Sequence, residues 1–365
     1  MALNGRRVYL DSLRGLAVAI MVEAHVVDAW TREVDRHDTP YFWAVFVAGM
    51  AAPLFLFLAG VTLAIAANAR ALAVGTAAAA AIARFRGWQT FALAFLFRIQ
   101  SQLLGWGAWG NLLKVDILNV MGLAMVMAGG VWGLSRRRTT RIALFAAATG
   151  LVTMMTPPVR EAAWLASLPD AIEAYIRPMP GRTTFAIFPW AGFLFAGVIV
   201  GDLVSAARTV GDERRLQAGL AVAGFGGIAL AYAASFRPSI YPIAYFWTSS
   251  PTFFLIRLGI ATALVPTAWL VGLLPRVADW FRSSISAPPV VVTLGRSSLF
   301  VYWIHVEMVY GFLGRPFRRA LPLEASLTAT VVLCLLLYGI VLWKNRAMKG
   351  VELRGPVRLF APVLK

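Results

Sequence analysis

The chain has 365 residues, of which 59% are apolar and 14% charged, and its mean hydropathy is +0.72. Soluble domains carry about 25% charged residues, so a soluble enzyme is excluded. The formal net charge of +17 then points to basic loops flanking membrane spans rather than to nucleic acid. The single cysteine, Cys334, excludes an intramolecular disulfide and a paired-thiol relay.

Apolar runs of about 20 residues recur along the chain, each able to cross a hydrocarbon layer of about 30 Å as a helix. The alternating segments of a β-barrel are absent. Ten spans are predicted, at residues 9–30, 41–67, 87–106, 115–134, 142–157, 184–203, 216–235, 252–274, 290–313 and 323–343. The expected fold is all-α, a polytopic membrane helix bundle forming one domain over residues 1–365. Most of the 34 Lys and Arg residues fall on the N-terminal side of this arrangement, which predicts that both termini are cytoplasmic. Residues 10–30 read as a retained span rather than a cleaved signal, because the run carries Glu23, His25 and Asp28 and lacks a small-x-small site.

Span one, RVYLDSLRGLAVAIMVEAHVVDAW, places Arg14 eleven residues before His25. That separation advances about 16 Å along a helix and leaves about 20° of rotation, so both side chains share one face at different depths. Glu23 sits beside His25, and Asp28 lies three residues on, on the same face. A carboxylate beside an imidazole fixes its tautomer and raises its basicity. This suits a base acting on a hydroxyl or amine; a nucleophilic imidazole and a plain interhelical hydrogen bond are the other readings. His37 follows in the outer loop TREVDRHDTP.

Next, ALAVGTAAAAAIARFRG predicts an interfacial helix on the inner side, bearing Arg84 and Arg86. Span three, with FLFRIQSQLLGW, puts Arg98, Gln100, Ser101 and Gln102 at membrane depth. Span four opens LLKVDILNVMG, with Asp116 and Asn119 on one face, and Arg98 can pair with Asp116 across the hairpin. The outer loops 157–184 and 236–251 are rich in Pro, Tyr and Trp, as suits a vestibule, a lid or interfacial anchors. Trp190 follows in span six. Arg257, in FFLIRLG, is a buried cation that calls for a carboxylate or an anionic ligand. His305, in FVYWIHVEMVYG, is a packing or supporting group, with Glu307 on another face. Arg315, Arg318 and Arg319 break the charge rule on the outer side, either as lipid-headgroup contacts or as a rim for an acidic substrate. No HExxH, His-x3-His or cysteine pair predicts a metal. No Walker loop or GxSxG elbow supports an ATP-driven pump or a serine hydrolase.

Seven stretches taken together resemble one family: LDSLRGLAVAIMVEAHVVDAW, APLFLFLAGVTLA, LAFLFRIQSQLL, LLKVDILNVMG, FPWAGFLFAGVIVGDL, SPTFFLIRLG and LGRSSLFVYWIHVEM. In this order they resemble the bacterial branch of the heparan-α-glucosaminide N-acetyltransferase family, within the transmembrane acyltransferases. The resemblance implies acyl transfer from cytoplasmic acyl-CoA, with acetyl as the default group, to an acceptor, often a sugar, on the far side. Arg14 and His25 also resemble the arginine–histidine motif of the related acyltransferase type 3 family, whose histidine is implicated in catalysis. In lysosomal members the position matching His25 is asparagine, and the catalytic histidine lies in the following loop, where this chain holds Arg36 and His37. The catalytic role therefore falls on His25 or His37, with His25 favoured.

On this reading Arg14, Arg84, Arg86 and Arg296 hold the CoA phosphates, because arginine binds phosphate bidentately. His25, oriented by Asp28, deprotonates the acceptor, and Asn119 or Trp190 donates to the oxyanion. Glu23, Arg98, Asp116, Arg257 and His305 line the substrate region or support it. The expected partners are membrane lipids, acyl-CoA and a glycan or small-molecule acceptor, with no metal and no nucleic acid; a homodimer is compatible. The expected location is a bacterial inner membrane. The competing class is a proton-coupled transporter using His25, Glu23 and Asp28, although no internal repeat supports it.

Overall fold

The computed structural model describes residues 7–105, 109–274, 289–349 and 363. Over these residues the chain is helical, with α1 (Val8–Trp30), α2 (Thr39–Ala48), α3 (Ala51–Val74), α4 (Thr76–Gly105), α5 (Ile117–Gly133), α6 (Arg138–Glu161), α7 (Asp170–Ile176), α8 (Ile187–Ala206), α9 (Val210–Ser235), α10 (Pro251–Leu273), α11 (Val290–Arg296), α12 (Ser298–Tyr310) and α13 (Leu323–Ala347). Extended pairing among them is confined to two isolated bridges, Thr31 with Leu321 and Val115 with Thr183. All ten predicted spans fall on helices, the second shared by α2 and α3 and the ninth by α11 and α12. Residue 106, the predicted end of span three, lies outside the described residues. Six helical segments are long and apolar enough to cross a membrane: residues 39–74, α6, α8, α9, α10 and α13. The protein is a polytopic, all-α membrane protein.

Contacts divide the chain into two compact units. The first comprises residues 1–5, 53–96 and 110–267; the second comprises 6–52, 97–109 and 268–365.

In the first unit, small residues let helices approach closely, as helix interfaces in a bilayer require. A methyl group at Gly197 of α8 would stand 1.9 Å from the Phe57 carbonyl oxygen of α3, so glycine is needed there. The alanine-rich stretch is not a separate interfacial helix. Gly75, at φ +83°, ends α3, and α4 starts at once. Ala79, Ala80 and Ala83 are buried in one apolar cluster with Ala124, Ala128 and Trp132 of α5. Their short side chains serve close helix packing, a use that composition alone does not separate from lying on a membrane surface.

The same unit holds a closed ionic network. Arg141 of α6 pairs with Asp202 of α8 at 3.0 Å, and both are buried. Asn68 of α3 accepts from Arg141 at 3.1 Å and donates to Asp202 at 2.5 Å, and the guanidinium lies 4.7 Å over the Trp132 ring. The segment 157–184 is folded. It contains a 3-10 turn (Ala163–Ser167) and α7, and Arg177 holds the carbonyls of Arg160 and Ala162, each at 3.0 Å.

In the second unit α1 lies against α11 and α12. A methyl group at Gly15 would meet the Val291 carbonyl oxygen at 1.7 Å, so the backbones touch there. The segment after α12 ties back to the end of α1: Arg319 N–H donates to the Ala29 carbonyl and Leu321 N–H to that of Trp30, both at 3.0 Å. Arg319 pairs with Glu33, and Arg318 donates to the Tyr310 carbonyl at 2.6 Å. Arg318 and Arg319 thus serve intramolecular contacts.

Candidate functional site

Polar rungs cross from α1 to α11 and α12 in the second unit. Near the start of α1, Asp11 accepts from Arg296 at 3.2 Å, and Arg14 Nη2 donates to Ser298 Oγ at 3.1 Å. Farther along, His25 Nδ1 lies 2.7 Å from His305 Nε2, and Trp30 Nε1 donates to the Val309 carbonyl at 3.1 Å. The partners rise together, 11, 14, 25 and 30 on one strand of the ladder against 296, 298, 305 and 309 on the other, so the helices run parallel. The shared face of Arg14 and His25 read from sequence is therefore the face that meets α12.

The histidine pair has one consistent neutral tautomer. His305 is fully buried, and its Nδ1 lies 2.8 Å from the Val301 carbonyl oxygen. A carbonyl only accepts, so His305 Nδ1 carries the proton and Nε2 presents a lone pair. His25 Nδ1 must then donate to it, which makes Nε2 the basic atom of His25. The rings are 4.9 Å apart and within 25° of parallel. The chain Val301 C=O, His305, His25 fixes one imidazole's orientation and tautomer from deep in the helix pair.

This arrangement gives His25 a partner beside the Asp28 expected from the spacing. Asp28 Oδ2 accepts from Tyr310 Oη at 2.9 Å, and the Tyr310 ring meets the His25 ring edge-on at 5.6 Å. Asp28 thus holds a tyrosine that packs on His25, while His305 holds the imidazole. The i, i+3 spacing put Asp28 on the right face, but the partner that reaches Nδ1 comes from 280 residues away. His37 is exposed on the 3-10 turn Glu33–His37. Glu23 is half-buried, two residues from His25 and so on another face of α1; its Oε2 is buried without a hydrogen-bond partner. Arg98 is half-buried near the end of α4.

The other predicted residues belong to the first unit. Asp116 and Asn119 do share a face, as the two halves of a capping box at the start of α5. Asp116 Oδ1 accepts from Ile117 N–H at 2.7 Å, and Asn119 Oδ1 accepts from Asp116 N–H at 3.1 Å. Asn119 also donates to Tyr175 Oη at 3.4 Å. Burial pushes the Tyr175 phenol above its ordinary range, and this hydrogen bond pulls it partly back. Trp190 packs edge-on against Phe185 at 4.7 Å. Arg257 rests 4.0 Å over the Phe253 ring, one turn back on α10, a cation–π contact. Arg84 and Arg86 are exposed on α4. Residues that the sequence reading passed over include Tyr310, Ser298 and the Arg141–Asp202 pair. A polar Gly-Arg-Ser-Ser break between two apolar helices was the one signal for Ser298.

No group of three or more His, Cys, Asp or Glu side chains placed to hold a metal occurs among the described residues. Chemically, the site offers an oriented imidazole base at one depth and an arginine on a serine hydroxyl at another. A family sequence profile described as heparan-alpha-glucosaminide N-acetyltransferase, catalytic, matches residues 6–232, well over half of the chain. The match includes Arg14, His25, Asp28 and His37 and stops short of Arg257, Arg296 and His305. No curated protein matches the chain. With a histidine pair between α1 and α12 and this match over most of its length, the chain belongs to the heparan-alpha-glucosaminide N-acetyltransferase catalytic family, a family of membrane acetyltransferases.

Proposed function

We propose that the protein takes an acetyl group from acetyl-CoA at the cytoplasmic face of a bacterial inner membrane. It delivers the group to an amine or hydroxyl of a sugar or similar small acceptor on the other side. The observation that carries this reading is the 2.7 Å hydrogen bond between His25 and His305, which makes His25 Nε2 a defined proton acceptor.

In the proposed step, the acceptor's N–H or O–H gives its proton to His25 Nε2 as its heteroatom attacks the thioester carbonyl. The tetrahedral intermediate collapses, the C–S bond breaks, and the CoA thiolate recovers the proton from His25. While His25 is an imidazolium, its Nδ1–H stays bonded to neutral His305, so the charge is met by a lone pair that needs no rearrangement. Tyr310, fixed by Asp28, walls one side of the ring. Arg14, on the same face of α1 but about 16 Å nearer its start, suits the donor's phosphates. Arg296 is engaged by Asp11 and acts there as a brace for that end.

The direct test follows acetyl transfer from labelled acetyl-CoA to a panel of amino sugars and neutral sugars in membranes bearing the protein. Acetyl-CoA-dependent product is expected. Absence of both CoA binding and product, with histidine-dependent proton flux in vesicles, would replace the enzyme by a proton-coupled transporter.

A further inference from the structure

The connection between α9 and α10, residues 236–250, is a strap that the acyl-transfer step above does not use. The two helices are antiparallel neighbours. A methyl group at Gly224 of α9 would meet the Ala263 nitrogen of α10 at 2.6 Å, and one at Gly259 of α10 would meet the Ile228 side chain at 2.7 Å. Both helices are long and apolar enough to cross a membrane. A short link between neighbouring spans lies where hydrocarbon gives way to headgroups. From residue 238 to residue 256 the chain carries no charge. Apolar side chains face outward instead, with Ile240 77% and Tyr245 64% exposed, and Ile243 and Trp247 exposed as well.

Two contacts set the strap in place. Pro158 lies inside α6, and its missing N–H leaves the Met154 carbonyl without a helical donor. Tyr241 Oη donates to that carbonyl at 2.8 Å, which clips the strap to α6. Farther on, Phe246 and Trp247 pack against Phe253 of α10, with ring centroids 5.2 and 4.9 Å apart. The half-buried Arg257 lies over the same Phe253 ring. Its guanidinium therefore points back along α10 toward the strap, as a long cationic side chain does when it reaches for a headgroup layer. Among the described residues neither a carboxylate nor a hydrogen-bond acceptor meets this guanidinium. The ring contact leaves its five N–H donors for an anion.

We propose that Arg257 and the strap form a seat for one phospholipid, the guanidinium binding the headgroup phosphodiester and the exposed apolar side chains of the strap packing on the acyl chains. A soluble anion would answer the cation and leave the apolar fringe facing water. A neutral lipid would cover the fringe and leave the cation unanswered. A phospholipid carries both parts on one molecule, and its phosphate oxygens match the guanidinium fork. The seat is independent of acetyl transfer.

The test is native mass spectrometry of the full chain released from a neutral, phosphate-free detergent. Three probes separate the parts of the ligand: phosphatidylglycerol, diacylglycerol with the same acyl chains, and inorganic phosphate. Three proteins are compared: wild type, Arg257→Gln and the double variant Ile240→Ser, Ile243→Ser. Arg257→Gln removes a cation that has no counter-charge, so ligand-free thermal stability is expected to hold. Wild type is expected to bind phosphatidylglycerol more tightly than diacylglycerol. Loss of a charged hydrogen bond predicts roughly 10- to 100-fold weaker phosphatidylglycerol binding in Arg257→Gln, with diacylglycerol binding unchanged. The double variant is expected to weaken both lipids. Equal phosphatidylglycerol binding by wild type and Arg257→Gln, or diacylglycerol binding as tight as phosphatidylglycerol in wild type, would overturn the phosphate contact. Displacement of phosphatidylglycerol by equimolar inorganic phosphate would make this a site for a soluble anion and overturn the lipid. Should Arg257→Gln fail to fold, the comparison of the two lipids on wild type still decides.

Discussion

Two sets of polar groups buried among helices differ in how fully they are closed. In the first unit, Arg141, Asp202 and Asn68 satisfy one another, and the guanidinium also reaches the Ser135 and Arg136 carbonyls at 3.3 and 3.1 Å. Each charge meets an opposite charge, and each donor an acceptor. In the second unit, the His25–His305 pair is neutral and directional, with a chain of donors ending on a basic nitrogen. Lys344 of α13 is a cation that, among the described residues, meets a hydroxyl and a ring. Closed networks hold helices together; open ones have chemical capacity left over. Burial alone does not separate the two, since Asp202 and His305 are both fully buried.

The contrast is broken most directly at His25. His25→Gln keeps a hydrogen-bonding side chain but removes the base. Acetyl transfer is expected to fall by about 10²- to 10⁴-fold, the usual contribution of a positioned general base, with the protein still folded. His37→Gln is expected to stay near wild type. A full loss in His37→Gln with activity kept in His25→Gln would move the chemistry to the exposed turn and leave the histidine pair structural.

The closed network should show the opposite signature. Asp202→Asn leaves Arg141 buried without its counter-charge, a loss on the order of 3–5 kcal/mol. Thermal unfolding in detergent should fall sharply, and the folded fraction should keep its kcat. If Asp202→Asn instead folded normally and lost turnover, the network would have to be counted with the chemistry.

His305 sits between these extremes. His305→Gln loses one hydrogen bond of about 1–2 kcal/mol to the reacting imidazole, or roughly tenfold in kcat. The distinguishing readout is the pH–rate profile. His305 fixes the tautomer of His25, the base that must be neutral to accept a proton, so its replacement should shift the acidic limb of the profile. A merely structural role would lower the folded fraction and leave the profile in place.

Much of the architecture was legible because it is written in local pattern. Runs of about 20 apolar residues locate helices whatever they pack against: all ten fell on helices, six of them in segments long and apolar enough to cross a membrane. Arg14 and His25 were legible as a pair because both lie on one helix and helical geometry fixes their relation. The rest required tertiary pairing. Nothing near His25 announces a partner at 305, and the Ser297–Lys344 contact joins residues 47 apart across two helices. Asp116 and Asn119 show the reverse failure. Their spacing was read correctly, but a spacing of three at a helix start is also the geometry of a capping box. Nor does the sequence show that Phe253, one turn away, turns its ring beneath the Arg257 guanidinium.

The smallest effect tests how Asp28 acts on His25. The Tyr310 hydroxyl donates to Asp28, and its ring touches His25 edge-on. Tyr310→Phe cuts the hydrogen bond and keeps the ring, and Asp28→Asn weakens the same bond from the other end. A hydrogen bond at a partly exposed site is worth about 0.5–1.5 kcal/mol, so each variant should lose no more than about tenfold in kcat. If Asp28 acts through Tyr310, the double variant should be no worse than the worse single one, because both changes remove one interaction. A loss in Asp28→Asn as deep as that in His305→Gln, unmatched by Tyr310→Phe, would mean that the carboxylate acts on the imidazole directly. The local pair read from the i, i+3 spacing would then regain its place beside the long-range one.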